Sequence, residues 1–136
     1  MIRMLGWHWV AADRRLQYGA RERVEVGQTY RVTGPLALCQ NGLHASRRAL
    51  DALQYAPGPI LCRVRLGGAI VHDTDKSVAK TRTVLWMVDA TPVLHEFALV
   101  CAHDALGRLA AVGDDADPGV WRALEIKARW LRGQAT

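Results

Sequence analysis

The chain predicts an α+β domain, a twisted and mainly antiparallel sheet packed with about three helices. Three observations carry that expectation. Residues 28–33 and 60–66 alternate apolar and polar side chains with a period of two, as half-buried strands do. Glycine-rich turns at Gly34-Pro35 and Gly67-Gly68 are placed to join neighbouring strands. Two later stretches keep helical spacing, and each opens on a cap followed by proline, Thr91-Pro92 and Asp117-Pro118.

Taken in order, residues 5–11 predict a strand with Trp7 and Trp9 on one face and His8 on the other. Residues 13–27 are polar and predict a loop. The strand at 29–33 carries Tyr30 and Val32 on one face, and 36–39 predicts a further short strand. A turn at Asn41-Gly42 then leads into a second short extended piece holding His44. Ser46 is placed to cap a helix over 47–55 with an apolar stripe of Ala49, Leu50, Ala52 and Leu53, and Pro57-Gly58-Pro59 ends it. In 60–66, Ile60, Cys62, Val64 and Leu66 face the core, and Leu61, Arg63 and Arg65 face away. Gly67-Gly68 predicts a tight turn into Ala69-Ile70-Val71, and 72–76 is a polar loop. Residues 83–88 suit either a short strand or the end of an irregular segment. A helix over 92–106 and a final helix over 118–132 follow, with Trp86 and Trp121 expected in the core. The expectation is one globular domain over 1–136, with its core in 5–106 and the last helix at its C-terminal end.

Composition narrows the function classes. At 136 residues and 50% hydrophobic, the chain is long enough to bury a real core. No apolar run reaches the roughly 18 residues that a membrane span needs, and the N-terminal stretch lacks a signal-peptide core. The expectation is an unexported protein of a bacterial host cytoplasm, with no membrane partner. Three cysteines without a C-x-x-C pair favour neither a disulfide framework nor a standard zinc site, and predict reduced, mostly buried thiols. The formal net charge of +5 favours acidic partners, nucleic acid among them, but the positive residues are spread along the chain rather than blocked into a tail.

An ordered set of residues resembles a known family. Tyr18, Gly27-x-x-Tyr30, Leu38-Cys39-x-x-Gly42-Leu43-His44-Ala45-Ser46, Leu50, Tyr55, Val64, Gly67 and Lys76 are similar to a domain of unknown function common in phage and prophage proteins. That domain has a Gly-[Phe/Leu]-His-Ala-[Cys/Ser] core motif, and the likeness covers roughly residues 5–105. Ser46 stands where the usual motif ends in Cys. The resemblance implies a small phage accessory protein and supplies no catalytic residues.

A more distant likeness has mechanistic content. Gly42-Leu43-His44, then Tyr55, then residues 60–67 look like the middle of ADP-ribosyltransferases, where a Gly-x-Tyr strand leads through a helix to a strand ending Val-x-Leu-Gly. This likeness implies NAD as cofactor, His8 against its ribose, Tyr55 or His44 against the nicotinamide, and Glu96 stabilising an oxocarbenium-like transition state. A basic residue such as Arg65 or Arg82 would meet the pyrophosphate. The chain departs from that family where His8 is followed by Trp9-Val10, where His44 replaces the tyrosine, and where Glu96 sits inside a predicted helix.

Each candidate also has a plainer role. His44 and His8 suit core histidines hydrogen-bonded to backbone as well as ligand-facing ones. Glu96 suits a first-turn acid favoured by the helix dipole. His72 with Asp73 and Asp75 suits an ordinary turn, so no metal is expected, and His95-Glu96 lacks the second histidine of a zinc-protease helix. Neither a G-x-S-x-G nor a P-loop motif is present. The sequence therefore favours a binding or inhibitor module without a cofactor, directed at a host factor such as a defence or nucleic-acid-processing complex. The expected partner face is Arg47, Arg48, Arg63 and Arg65, with Trp130 as an exposed aromatic. The enzyme alternative is an NAD-dependent ADP-ribosyltransferase acting through His8, His44, Tyr55 and Glu96.

Overall fold

Ile60, Cys62, Val64 and Leu66 alternate with half-buried neighbours and are themselves 3% exposed or less, so the period-two pattern marks the centre of the core. They belong to β4 (Ile60–His72), which forms a hairpin with β5 (Ser77–Asp89) and pairs on its other edge with β1 (Arg3–Val10). The far edge of β5 pairs with β2 (Thr29–Arg31) through residues 81–83 and with β3 (Leu43–Ala45) through residues 77–79. All pairs are antiparallel, giving an open five-stranded sheet with the path β1-β4-β5-β2. Three helices complete the α+β fold: α1 (Ala49–Leu53), α2 (Thr91–Ala111) and α3 (Pro118–Leu131). The structure is a computed structural model that describes residues 3–17 and 21–134, and Tyr18 of the family resemblance lies outside them.

The chain divides into two compact units, residues 1–89 and 90–136. In the first, Val10, Val24, Tyr30, Leu43, Ala45 and Val84 pack on the buried face of β4. The opposite face carries Trp7, Arg63 and Trp86. The Arg63 guanidinium lies 4.4 Å from the Trp7 ring centre, and the two indoles meet edge to face at 5.7 Å. Trp86 is 43% exposed on that face rather than in the core, because the register shift that pairs Arg63 with Trp86 but Val64 with Val84 inserts Leu85 as an extra residue and turns β5 over between Val84 and Trp86. Trp9, of the same parity as Trp7, is buried and donates its indole N–H to Ala49 O at 3.2 Å, which fixes α1 against β1.

Several boundaries differ from the sequence expectation. Residues 36–39 are not a strand: Ala37 N–H donates to Asn41 O, and Cys39 turns the chain at φ +62. Asn41 Nδ2 donates to Thr33 O and Pro35 O, holding this reversal. Gly67-Gly68 is not a hairpin turn; β4 runs through it with a register shift between Gly67 and Ile70, and Gly68 takes φ +72. The same two glycines satisfy a bulge as readily as a turn, since both need a left-handed φ and little side chain. The reversal falls at 73–76, where Asp73 N–H donates to Lys76 O at 2.8 Å. Residues 83–88 are strand, within β5. Ser46 does not cap α1. It is buried, and its backbone N–H and C=O bond to Trp7 O at 3.0 Å and Trp7 N at 2.7 Å, so Arg48 becomes the N-cap without a side-chain bond. Cys62 is buried as expected, whereas Cys39 and Cys101 are exposed.

In the second unit, α2 and α3 pack on each other through edge contacts of His95 with Trp130 at 5.3 Å and a tilted contact of His103 with Trp121 at 5.9 Å. Asp117 caps α3 as the sequence predicts, accepting from Gly119 N at 2.7 Å. α2 starts beside Pro92, but its N-cap is Ala90, with no side-chain cap bond, and it continues to Ala111. Trp121 is half-buried rather than core, since neither helix buries a residue fully. Among the described residues no helix is long and apolar enough to cross a membrane.

Candidate functional site

The segment 42–46 is shaped by close packing before it is shaped by chemistry. Gly42 takes φ +133, and a Cβ there would overlap the Val78 side chain and lie 3.0 Å from Leu36. Leu43 and Ala45 turn into the core. A Cβ on Gly6 of β1 would stand 2.9 Å from Ala45 Cβ and 3.2 Å from Ser46 O, so β1 meets the end of β3 only through a glycine. Together these contacts bring β3 back to β1 and leave His44, with the opposite parity to Leu43 and Ala45, facing a cleft.

The cleft comprises two adjoining cavities of about 440 and 750 Å³ that share His8, His44 and Tyr55 in their walls. His8 comes from β1, His44 from β3, and Tyr55 follows α1. Into the smaller cavity Arg82 enters from β5, on the face that Tyr30 and Leu66 share with it across the sheet. Arg82 is 3% exposed. One guanidinium N–H donates to His44 O at 2.8 Å, while Nε is buried without an acceptor among the described residues. The ion pairs among the described residues, Arg21 with Asp13 and Arg108 with Asp104, do not include it. Burial pulls its pKa down to about 10, so it stays charged at neutral pH.

That charge governs its neighbours. His8 retains some access to the cleft, yet burial holds its pKa well below the ordinary value, and the fields of Arg82 and His44 add to the effect. His44 is lowered by burial, then by Arg82 and Lys76, against a hydrogen bond to the Gly42 backbone that raises it. His44 Nε2 accepts the Cys39 N–H at 3.0 Å, which places the ring proton on Nδ1. Two neutral imidazoles therefore flank one buried cation.

The rim is polar. Tyr55 is 49% exposed and donates its hydroxyl to Asp75 Oδ2 at 2.7 Å, which pushes its pKa up. Gln54 Nε2 donates to the same oxygen at 2.8 Å. Lys76 Nζ lies 2.8 Å from Cys39 Sγ and 4.7 Å from the Tyr55 ring centre, and the contact with Cys39 raises its pKa. Among the described residues no group of three or more His, Cys, Asp or Glu is arranged to hold a metal ion. His72 Nδ1 bonds instead to Ser77 Oγ at 2.7 Å.

Three of the four residues singled out for catalysis, His8, His44 and Tyr55, thus share one cleft. Glu96 stands on α2 in the second unit and is exposed there. The partner-face residues are dispersed. Arg47 and Arg48 are exposed beside Ser46, Arg63 and Arg65 are half-buried on β4, and Trp130 lies in the second unit, where Lys127 Nζ sits 4.4 Å over its ring. Sequence reasoning missed the Cys39–Lys76 contact and gave Arg82 only a passing role. The signal for Arg82 was a charged residue two positions from Val84 on the buried face of a strand.

The chain belongs to the family described as a domain of unknown function (DUF7666), whose model matches residues 5–96. The match opens in β1, takes in every strand and all of the cleft-lining side chains named above, and ends in the second turn of α2. Neither a curated protein nor a solved structure matches the chain.

Proposed function

We propose that the protein acts by binding, as a phage- or prophage-type accessory module directed at a host factor, with the cleft of the first unit as its recognition site. The observation that supports this most is the convergence of His8, His44 and Tyr55, from three separate segments, on one concave site with polar groups at its base and rim. Arg47 and Arg48 are exposed next to Ser46, which lines the cleft. Arg63 lies in the cross-strand row Arg63–Trp7–Ser46, two strand spacings away. These charges favour an acidic partner surface. The deciding experiment is affinity recovery from a bacterial lysate with the wild type and with a variant reversing Arg47, Arg48, Arg63 and Arg65 to glutamate, its fold checked by circular dichroism. The variant loses the partner under this reading. Recovery of the same proteins and nucleic acids by both refutes it.

A second reading, NAD-dependent ADP-ribosyl transfer, is favoured by the same meeting of His8, His44 and Tyr55 beside a cation. The acidic side chain in the cleft wall is Glu22, while Glu96 belongs to the helical unit. Incubation of the protein with labelled NAD and lysate tests this reading, and an absence of transferred label removes it.

A further inference from the structure

We propose that the smaller cavity is an oxyanion site, in which Arg82 pairs with the phosphate or carboxylate group of a small organic ligand. The inference rests on the cleft being a recognition site and names the chemistry of what it takes. Charged side chains are almost never fully buried unless paired, because an isolated ion loses its hydration and gains nothing in return. Arg82 departs from that rule. It is 3% exposed, and among the described residues it makes a single hydrogen bond, to the neutral carbonyl of His44, and leaves Nε without an acceptor. The groups around it do not supply the missing charge. Tyr30, its cross-strand neighbour, has its hydroxyl engaged by Arg23 O at 2.7 Å and by Glu25 N at 3.0 Å. His8 and His44 are neutral, so they offer hydrogen bonds but no countercharge.

The wall bears out the same bias. Among the described residues, Arg15 and Arg31 join Arg82 in lining the cavity, against Glu22 alone on the acidic side. The volume of about 440 Å³ exceeds what a simple ion fills and suits a small molecule with an anionic group at the Arg82 end. A guanidinium offers several N–H donors in one plane, the geometry that carboxylate and phosphate oxygens match best.

The test titrates the full chain with inorganic pyrophosphate and, separately, with succinate, following heat of binding, melting temperature and the imidazole resonances of His8 and His44. Arg82→Met and Arg82→Lys are compared with the wild type. The expected result is saturable binding of one oxyanion with a rise in melting temperature, at least tenfold weaker binding by Arg82→Met, and partial rescue by Arg82→Lys. Saturation by pyrophosphate assigns the group to a phosphate, and saturation by succinate alone assigns it to a carboxylate. Failure of both anions to saturate the wild type overturns the inference, as does equal binding by Arg82→Met. The neutral probe indole separates the two levels. If indole shifts the His44 resonances while no oxyanion binds, the anion site falls and the recognition cleft stands. If nothing shifts them, both fall.

Discussion

Replacing Gly42 with alanine tests whether the 42–46 segment is architecture first. Two penalties act on the new methyl group. The backbone at φ +133 is one that L side chains rarely adopt, and holding alanine there costs about 1–3 kcal/mol. The Cβ would also overlap Val78 and press on Leu36 at 3.0 Å. Overpacking of that kind adds about 1–3 kcal/mol, since Val78 is fully buried between β4 and β3 and has little room to yield. The expected loss is therefore roughly 2–6 kcal/mol, a large share of a domain's usual stability. Gly27 is the internal control, with φ +85 and nothing within 4 Å of its Cβ, so Gly27→Ala registers the backbone penalty alone. Urea denaturation of the full-length variants, followed by tryptophan fluorescence, gives both values. If Gly42→Ala loses no more than Gly27→Ala, the close approach to Val78 does not hold β3 in place. The reasoning for the whole segment then fails.

Two further outcomes are expected. Because burial keeps His8 neutral in the fold, the unfolded chain binds more protons than the native one once pH falls below the ordinary histidine value near 6.5. Stability is complete above that value and is lost on acidification, by up to about 2 kcal/mol at pH 5, with His44 adding in the same direction. Denaturation midpoints at pH 7 and pH 5 measure this, and His8→Gln flattens the dependence; an unchanged slope contradicts the assignment. In the second unit, Asp117→Ala removes the side-chain bond to Gly119 N and lowers the stability of α3 by about 1 kcal/mol. Amide exchange in the first turns of α3 reads that loss, and unchanged protection there would show that Pro118 alone sets the helix start.

How much of this was legible in the sequence depends on the range over which each signal acts. The alternation in 60–66 gave the faces of β4 correctly, because burial on one side of a sheet enforces a strict period of two. Asp117-Pro118 gave the start of α3, because a cap is a contact between near neighbours. Ser46 failed for the opposite reason. Its local setting suits a cap, but its backbone is claimed by Trp7, thirty-nine positions away, and no local pattern records a bridge of that span. Gly67-Gly68 failed because bulge and turn make the same demand on sequence, and only the continued pairing of Ile70 with Ala79 distinguishes them.

The same division explains the candidate site. The segment with the clearest sequence pattern, 42–46, lines the cleft, with His44 in both cavities, and through its close contacts also brings β3 against β5 and β1. The charge that defines the cleft arrives from outside that pattern, on Arg82 of β5, and one neutral imidazole comes from His8 of β1. His8 lies in a stretch that reads as an ordinary strand, and Arg82 lies just before residues 83–88, which the sequence leaves open between a strand and an irregular segment. A buried arginine in such a strand weakens the fold unless something offsets its desolvation, and here the offset within the described residues is a single carbonyl. Stability alone therefore gives no reason for Arg82 to stand where it does, whereas an anionic ligand would. If Arg82→Met raises the melting temperature of the ligand-free protein while abolishing oxyanion binding, the arginine is held in place by what it binds. A fall in melting temperature without any change in binding would make it a structural residue.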